Sequence, residues 1–118
     1  MIESMTFVTS NKFKFENAKH LFDLANIKLV QETIDAPEIQ ADDSREVSEF
    51  TAKYLSERLK IPFFVMDRSF HITCLNGFPG PYIKQINTWL SSEHFVRLVE
   101  GKDDLSATWL TSIGLFIP

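Results

Sequence analysis

Apolar and polar positions change their period several times along the chain, and each change marks an element. Met5 to Thr9 is a short run of mainly apolar character with the length of a buried strand. From Lys12 to Ala25 the residues Phe15, Ala18, Phe22 and Ala25 recur every three or four positions, with Leu21 beside them and Lys and Glu opposite. That spacing puts them on one stripe of a helix, and Asn26 is a suitable stop. Ile27 to Thr33 predicts a second strand, followed by a polar, Pro-containing loop from Asp35 to Asp42. Asp43 with Glu46 has the form of a capping box. It opens a second helix with the stripe Val47, Phe50, Tyr54 or Leu55, and Leu59.

The apolar stretch Ile61 to Met66 predicts a third strand, with Pro62 near its start, where a missing N–H is tolerated. Phe70 to Leu75 reads as a strand hairpinned to it. Beyond a Gly/Pro-rich turn, Tyr82 to Leu90 and Glu93 to Glu100 read as two short helices. Ser106 to Ile117 is apolar without clear alternation, as a central strand would be. Strands alternating with helices predict a single α/β domain over residues 1–118, a three-layer mixed sheet flanked by helices. No helix follows the last strand, which leaves an uncovered apolar edge of the kind that invites pairing with another chain.

Composition narrows the classes. With 118 residues the chain suits one domain that buries roughly two-thirds of its unfolded surface without staples. Its 11 Phe predict an aromatic core, and the single Cys excludes a disulfide framework within one chain and fits a reducing cytoplasm. A net charge of −4 disfavours a general nucleic-acid binder. No apolar run approaches membrane-spanning length and the start lacks a basic signal-peptide region, so a cytosolic, non-membrane protein is expected. A small polyanion stays possible, held by a few local lysines.

Three clusters could carry chemistry. Thr9-Ser10-Asn11-Lys12-Phe13-Lys14 joins the first strand to the first helix, where backbone N–H groups and a helix N-terminus can meet an anion. Lys14, one turn in, can reach the same phosphate as a point charge. The same residues also read as an ordinary N-capped helix with solvated lysines, and without glycines they form neither a P-loop nor a dinucleotide fingerprint. Glu38 follows Pro37 in the polar loop, and Asp67 ends the strand Phe63-Phe64-Val65-Met66. An acid at the carboxyl end of a buried strand lies on the ligand-binding edge of an α/β sheet, where it could hold Mg²⁺ or orient a water. It could equally be a turn residue. His71 and Cys74 read as core or edge residues without catalytic partners, and Asp103-Asp104 as a solvated turn.

Taken in order, these pieces resemble the inosine triphosphate pyrophosphatase family. Thr9-Ser10-Asn11 with Lys14 and Glu16 resembles its T-G-N-x-x-K-x-E opening. Ala36-Pro37-Glu38-Ile39-Gln40 resembles its L-P-E-I-Q loop, and Val65-Met66-Asp67 its V-[ED]-D segment. Leu75-Asn76-Gly77-Phe78-Pro79-Gly80-Pro81-Tyr82-Ile83-Lys84 is similar to L-x-G-x-P-G-P-Y-[IS] almost throughout. Lys102-Asp103-Asp104 with Ser106-Ala107 is similar to the D-[KR]-x-A turn that follows.

The resemblance runs from Met5 to Phe116 and implies an N-terminal portion of that fold, without the family's C-terminal lobe and its base-gripping segments. It implies hydrolysis of deaminated purine triphosphates (ITP, XTP, dITP) to the monophosphate and pyrophosphate with Mg²⁺. Thr9, Ser10, Asn11 and Lys14 would hold phosphates, Glu38 and Asp67 the metal, and Asp67 the attacking water. Ser10 stands at a family glycine and Met66 at the first acid of the family's pair. Where the family places a phosphate-facing Lys on the second helix, Lys53 is the nearest substitute. A homodimer, or a partner supplying the missing half, is expected to complete the site. The second reading is a phosphate- or nucleotide-binding pseudoenzyme without turnover.

Overall fold

The computed structural model describes residues 2–118. The elements are β1 (Ser4–Val8), α1 (Lys12–Leu24), β2 (Lys28–Glu32), α2 (Ser44–Ser56), β3 (Phe63–Ile72), a 3-10 turn (Thr73–Leu75), β4 (Pro79–Gly80), α3 (Ile83–Ile86), α4 (Ser92–Leu98) and β5 (Ala107–Phe116). β1 lies between β2 and β3 and runs parallel to both, while β4 and β5 run antiparallel to β3. The sheet is therefore mixed, with helices on both faces, as the alternation of elements predicts.

Each helix covers one face. On one side Phe15 and Ala18 of α1 pack on Met5, Phe7, Leu29 and Phe64, with Phe22, Ile27 and Met66 at the margin. Phe64 stacks on Phe7 at 4.4 Å and on Phe22 at 5.6 Å between ring centroids. On the other side Leu55 of α2 packs with Val8, Phe63 and Val65. Strand alternation sends Phe63 and Val65 one way and Phe64 the other, so three successive residues supply both clusters. α2 also lies unusually close to β5. A Cβ built on Gly114 would stand 2.7 Å from the carbonyl oxygen of Ser48 and 2.9 Å from Cβ of Ala52, so only glycine fits there.

Several expectations need correction. Ile61–Met66 and Phe70–Leu75 are not two strands of a hairpin. Residues 63–72 form one continuous strand, and Thr73–Leu75 is a 3-10 turn. The polar triplet Asp67-Arg68-Ser69 imitates a turn but stays extended because β5 pairs with β3 along its whole length. β5 is not central: among the described residues it pairs only with β3, and most of its residues are exposed. The Gly/Pro segment is more than a turn. With left-handed backbone at Asn76, Gly77 and Gly80 and a cis Phe78–Pro79 bond, it folds back to place Pro79 and Gly80 against His71 and Phe70. On α2 the Asp43 cap accepts from the Arg45 N–H at 2.9 Å rather than forming a box with Glu46. Phe50 is exposed, and Ser44, Val47, Ser48 and Leu55 form the buried stripe. The helices expected at Tyr82–Leu90 and Glu93–Glu100 shorten to α3 and α4.

Candidate functional site

The pairing of β3 opens a gap in the sheet. β5 occupies one edge of β3 throughout, so β1 and β4 must share the other edge. β1 pairs only with Phe63 and Phe64 and β4 only with Phe70 and His71. Between them residues 65–69 have no strand on that side. A cleft of about 630 Å³ occupies the gap, lined among others by Thr9, Ser10, Asn11, Lys14, Glu38, Asp67 and Lys84. Asp67 is thus mid-strand rather than at a strand end. It still follows the last residues of β3 that belong to the parallel sheet, which is the position where α/β sheets bind ligands.

The β1–α1 turn is held rigidly. The Thr9 N–H donates to the Glu32 carbonyl at 2.9 Å, and the Thr9 carbonyl accepts from Gln31 Nε2 at 3.1 Å. The Thr9 hydroxyl oxygen accepts from the Asn11 N–H at 3.1 Å, and Asn11 Oδ1 caps α1 by accepting from the Lys14 N–H at 3.0 Å. Those acceptors are spent on the turn, which leaves the Thr9 O–H and the Asn11 amide N–H₂ as donors toward the cleft. Ser10 does not adopt a left-handed backbone, so its side chain brings no strain to the turn.

The charges in the cleft act on one another. Burial pushes the Lys14 amine below its ordinary range; Arg68 and Lys84 push the same way, while Asp67 and Glu38 oppose them. Burial pushes the Asp67 carboxyl up, Lys14 pulls it down and Glu38 pushes it up again. Asp67 Oδ2 is buried with no hydrogen-bond partner. A buried carboxylate oxygen left unpaired is costly unless something external completes it. That orphaned oxygen, with Glu38 close by, fits Mg²⁺, which takes one or two protein carboxylates and draws its other ligands from water and substrate phosphates. Among the described residues no group of three or more His, Cys, Asp or Glu gathers around one point.

Lys53 lies elsewhere. Its ammonium pairs with Glu49 at 3.1 Å and lines a separate groove of about 1060 Å³ between α2 and β5. That groove is larger than the cleft, but its cations are paired within it, Arg45 with Asp43 and Lys53 with Glu49. The α2 residues that face the cleft are Val47, Ser48, Thr51 and Leu55. Sequence reasoning missed Lys84, Arg68, Asn87 and Trp109, all of which line the cleft. Only Lys84 sits in a segment that carries the family resemblance. His71 is partly buried and bonds Ser69 Oγ at 2.8 Å, and Cys74 is a partly buried free thiol.

A family model described as the Ham1 family matches residues 5–118. The chain is 32% identical over 117 residues to a dITP/XTP pyrophosphatase of Methanosarcina acetivorans, covering 99% of this chain and 64% of that protein. It is 35% identical over 103 residues to a protein of the same name from Thermococcus kodakarensis, covering 87% of this chain and 56% of that one. Among solved structures, a HAM1 protein from Coxiella burnetii matches with a TM-score of 0.77 at 19% identity, covering 98% of this chain and 64% of that chain. The Staphylococcus aureus Ham1 protein matches with a TM-score of 0.75 at 16% identity and the same coverage. The chain therefore spans less than two-thirds of the length of the relatives it matches. Among the described residues no helix is long and apolar enough to cross a membrane.

Proposed function

The chain belongs to the Ham1 family, and from that premise we propose that its cleft binds a purine nucleoside triphosphate and hydrolyses it to the monophosphate and pyrophosphate. The names of the relatives point to dITP and XTP as substrates. The observation that carries the reading is the unpartnered, buried Oδ2 of Asp67 in a cleft that also holds Lys14, Lys84 and Glu38.

The triphosphate lies against the N-terminus of α1, where the free Thr9 and Asn11 donors and the Lys14 ammonium meet its oxygens. A bound phosphate restores Lys14 toward its ordinary, fully charged state, which offsets its burial. Glu38 and Asp67 would hold Mg²⁺, whose contribution when bound is to neutralise charge on the phosphates. Asp67 orients the attacking water and takes its proton; burial makes the carboxylate a stronger base than an exposed one. Water oxygen bonds to phosphorus as the α–β phosphoanhydride opens, and pyrophosphate leaves. Preorganised positive charge does most of the work in such transfers.

A second reading is binding without turnover. It is favoured by Met66, which packs toward the Phe7–Phe64 cluster at the position where the family resemblance calls for an acid. A homodimer, or a second chain supplying what the longer relatives have, belongs to both readings. Pyrophosphate release from dITP, XTP and ITP with Mg²⁺ separates them. Turnover supports hydrolysis; thermal stabilisation by dITP with no pyrophosphate supports the binding module; neither effect on the folded protein removes both.

A further inference from the structure

The wall of the cleft beyond Asp67 carries two side chains that the phosphate scheme does not use. Arg68 follows Asp67 on β3, and its guanidinium carbon lies 4.6 Å from the centroid of the Trp109 indole. Trp109 stands on β5 across from Phe70. The two rings are 4.6 Å apart with planes tilted by 40°, so Phe70 steadies the indole. Arg68 is exposed and Trp109 is 52% exposed, yet both line the cleft with Lys14, Asp67 and Lys84. The ion pairs found among the described residues all lie elsewhere, so no carboxylate draws the guanidinium away.

This arrangement differs from a solvated arginine beside a stray aromatic. A guanidinium is planar, weakly hydrated and stacks on aromatic faces, and Arg68 lies over the Trp109 ring on the wall of the cleft. A nucleobase can add a third layer, because every base has a π-face. Trp109 pairs three residues beyond Asp67 along β3, about 10 Å away along the strand, comparable to the reach of a nucleoside from its phosphates. The side-chain alternation of β3 also puts Arg68 on the α1 side, where Lys14 begins the phosphate cradle.

We propose that Arg68 and Trp109 form a stacking platform for the purine base of the nucleotide whose phosphates lie against Lys14 and Asp67. The proposal rests on the nucleotide-binding reading of the cleft and adds how this chain holds the base. A platform reads the face of a base and not its edge. It favours purines over pyrimidines through stacking area and does not distinguish a 6-oxo from a 6-amino group, so deaminated and ordinary purines bind alike to this chain.

The test compares dissociation constants of dITP, dATP and tripolyphosphate for the wild type and for Arg68→Lys, Trp109→Leu and Trp109→Phe. The wild type is expected to bind dITP roughly tenfold more tightly than tripolyphosphate, with dATP within about threefold of dITP. Arg68→Lys keeps the charge but loses the plane. It and Trp109→Leu should abolish most of the preference for dITP while leaving tripolyphosphate affinity unchanged, and Trp109→Phe should restore it. Arg68 is exposed, so its replacement leaves the fold intact and the comparison interpretable. Tripolyphosphate binding with no preference for dITP, or a preference untouched by Arg68→Lys and Trp109→Leu, overturns the platform alone. Failure of both ligands to bind the wild type overturns the cleft reading and the platform together.

Discussion

The two halves of β3 share one strand, one partner in β5 and one twist, yet they do opposite jobs. Phe63, Phe64 and Val65 are buried under a helix on each face and join both hydrophobic clusters. From Asp67 on, β1 has left the strand and the side chains become mainly polar, Asp67, Arg68, Ser69 and His71 with Phe70 between them, although Ser69 stays fully buried beneath Ser44 of α2. The difference lies in the neighbours and not in the backbone conformation. Where a second strand and two helices close around β3, apolar residues gain most from burial. Where one edge is left open, a charge can be held half-desolvated and remain reachable from solvent.

Asp67→Asn breaks the comparison most sharply, because it should move function and stability in opposite directions. Loss of the proton acceptor is expected to lower pyrophosphate release by about 10²- to 10⁴-fold. The neutral amide, however, relieves the penalty that burial places on the carboxylate. The folded-state pKa of Asp67 is raised above its ordinary value, so the stability this group contributes is fully present below the unfolded pKa and is lost as pH rises through the folded one. The variant should therefore match the wild type in strong acid and melt higher near neutral pH. A lower melting temperature at pH 7 would mean that the carboxylate is satisfied in the free protein.

Phe63→Ala tests the other half. Phe63 is fully buried, with its ring 5.3 Å from that of Phe116. Truncation leaves a cavity between α2 and the sheet and should cost about 3–5 kcal/mol in urea unfolding. A loss below about 1 kcal/mol would show that α2 collapses onto the gap. Gly114→Ala is a smaller disturbance at the level of Val65, its partner across the strands. The added methyl meets the Ser48 carbonyl, which is backbone and cannot rotate away. About 1–3 kcal/mol is expected, whereas Gly114 replaced without loss would mean that α2 rides loosely on β5.

The two halves also differ in how far the sequence reveals them. Phe63 to Val65 announces a buried strand by composition alone, and the period of Phe15, Ala18 and Phe22 announces α1. The second half misleads because Asp67-Arg68-Ser69 has the polarity of a turn, and the long-range pairing with β5 keeps it extended. β5 misleads in the opposite way, since an apolar run looks central whether or not neighbours cover it. Among the residues lining the cleft, Thr9, Asn11, Lys14, Glu38 and Asp67 stand out in the sequence because each follows an apolar run or opens a helix, although Asp67 proves to be mid-strand. Arg68 and Trp109 do not, because they meet across strands about forty residues apart in sequence. No local pattern reports such a contact.

Lys53 is where a local pattern gave the wrong face, and it yields the smallest predicted effect. Thr51 and Leu55 of α2 look into the cleft, and two residues advance an α-helix by about 200°. Lys53 must therefore point away from any ligand that Thr51 could touch. Its ammonium pairs instead with Glu49, one turn earlier, and both side chains are well exposed. Exposed pairs at this spacing contribute about 0.3–0.5 kcal/mol. Lys53→Ala should thus lower stability by no more than about 0.5 kcal/mol and leave tripolyphosphate affinity unchanged, while Lys14→Ala weakens it clearly. A matching loss in both variants would place Lys53 beside the phosphates and require α2 to turn about its axis when ligand binds. The same rotation would swing Leu55 out of its contact with Phe63 and Val65, so the buried half of β3 is what holds the lysine away from the open half.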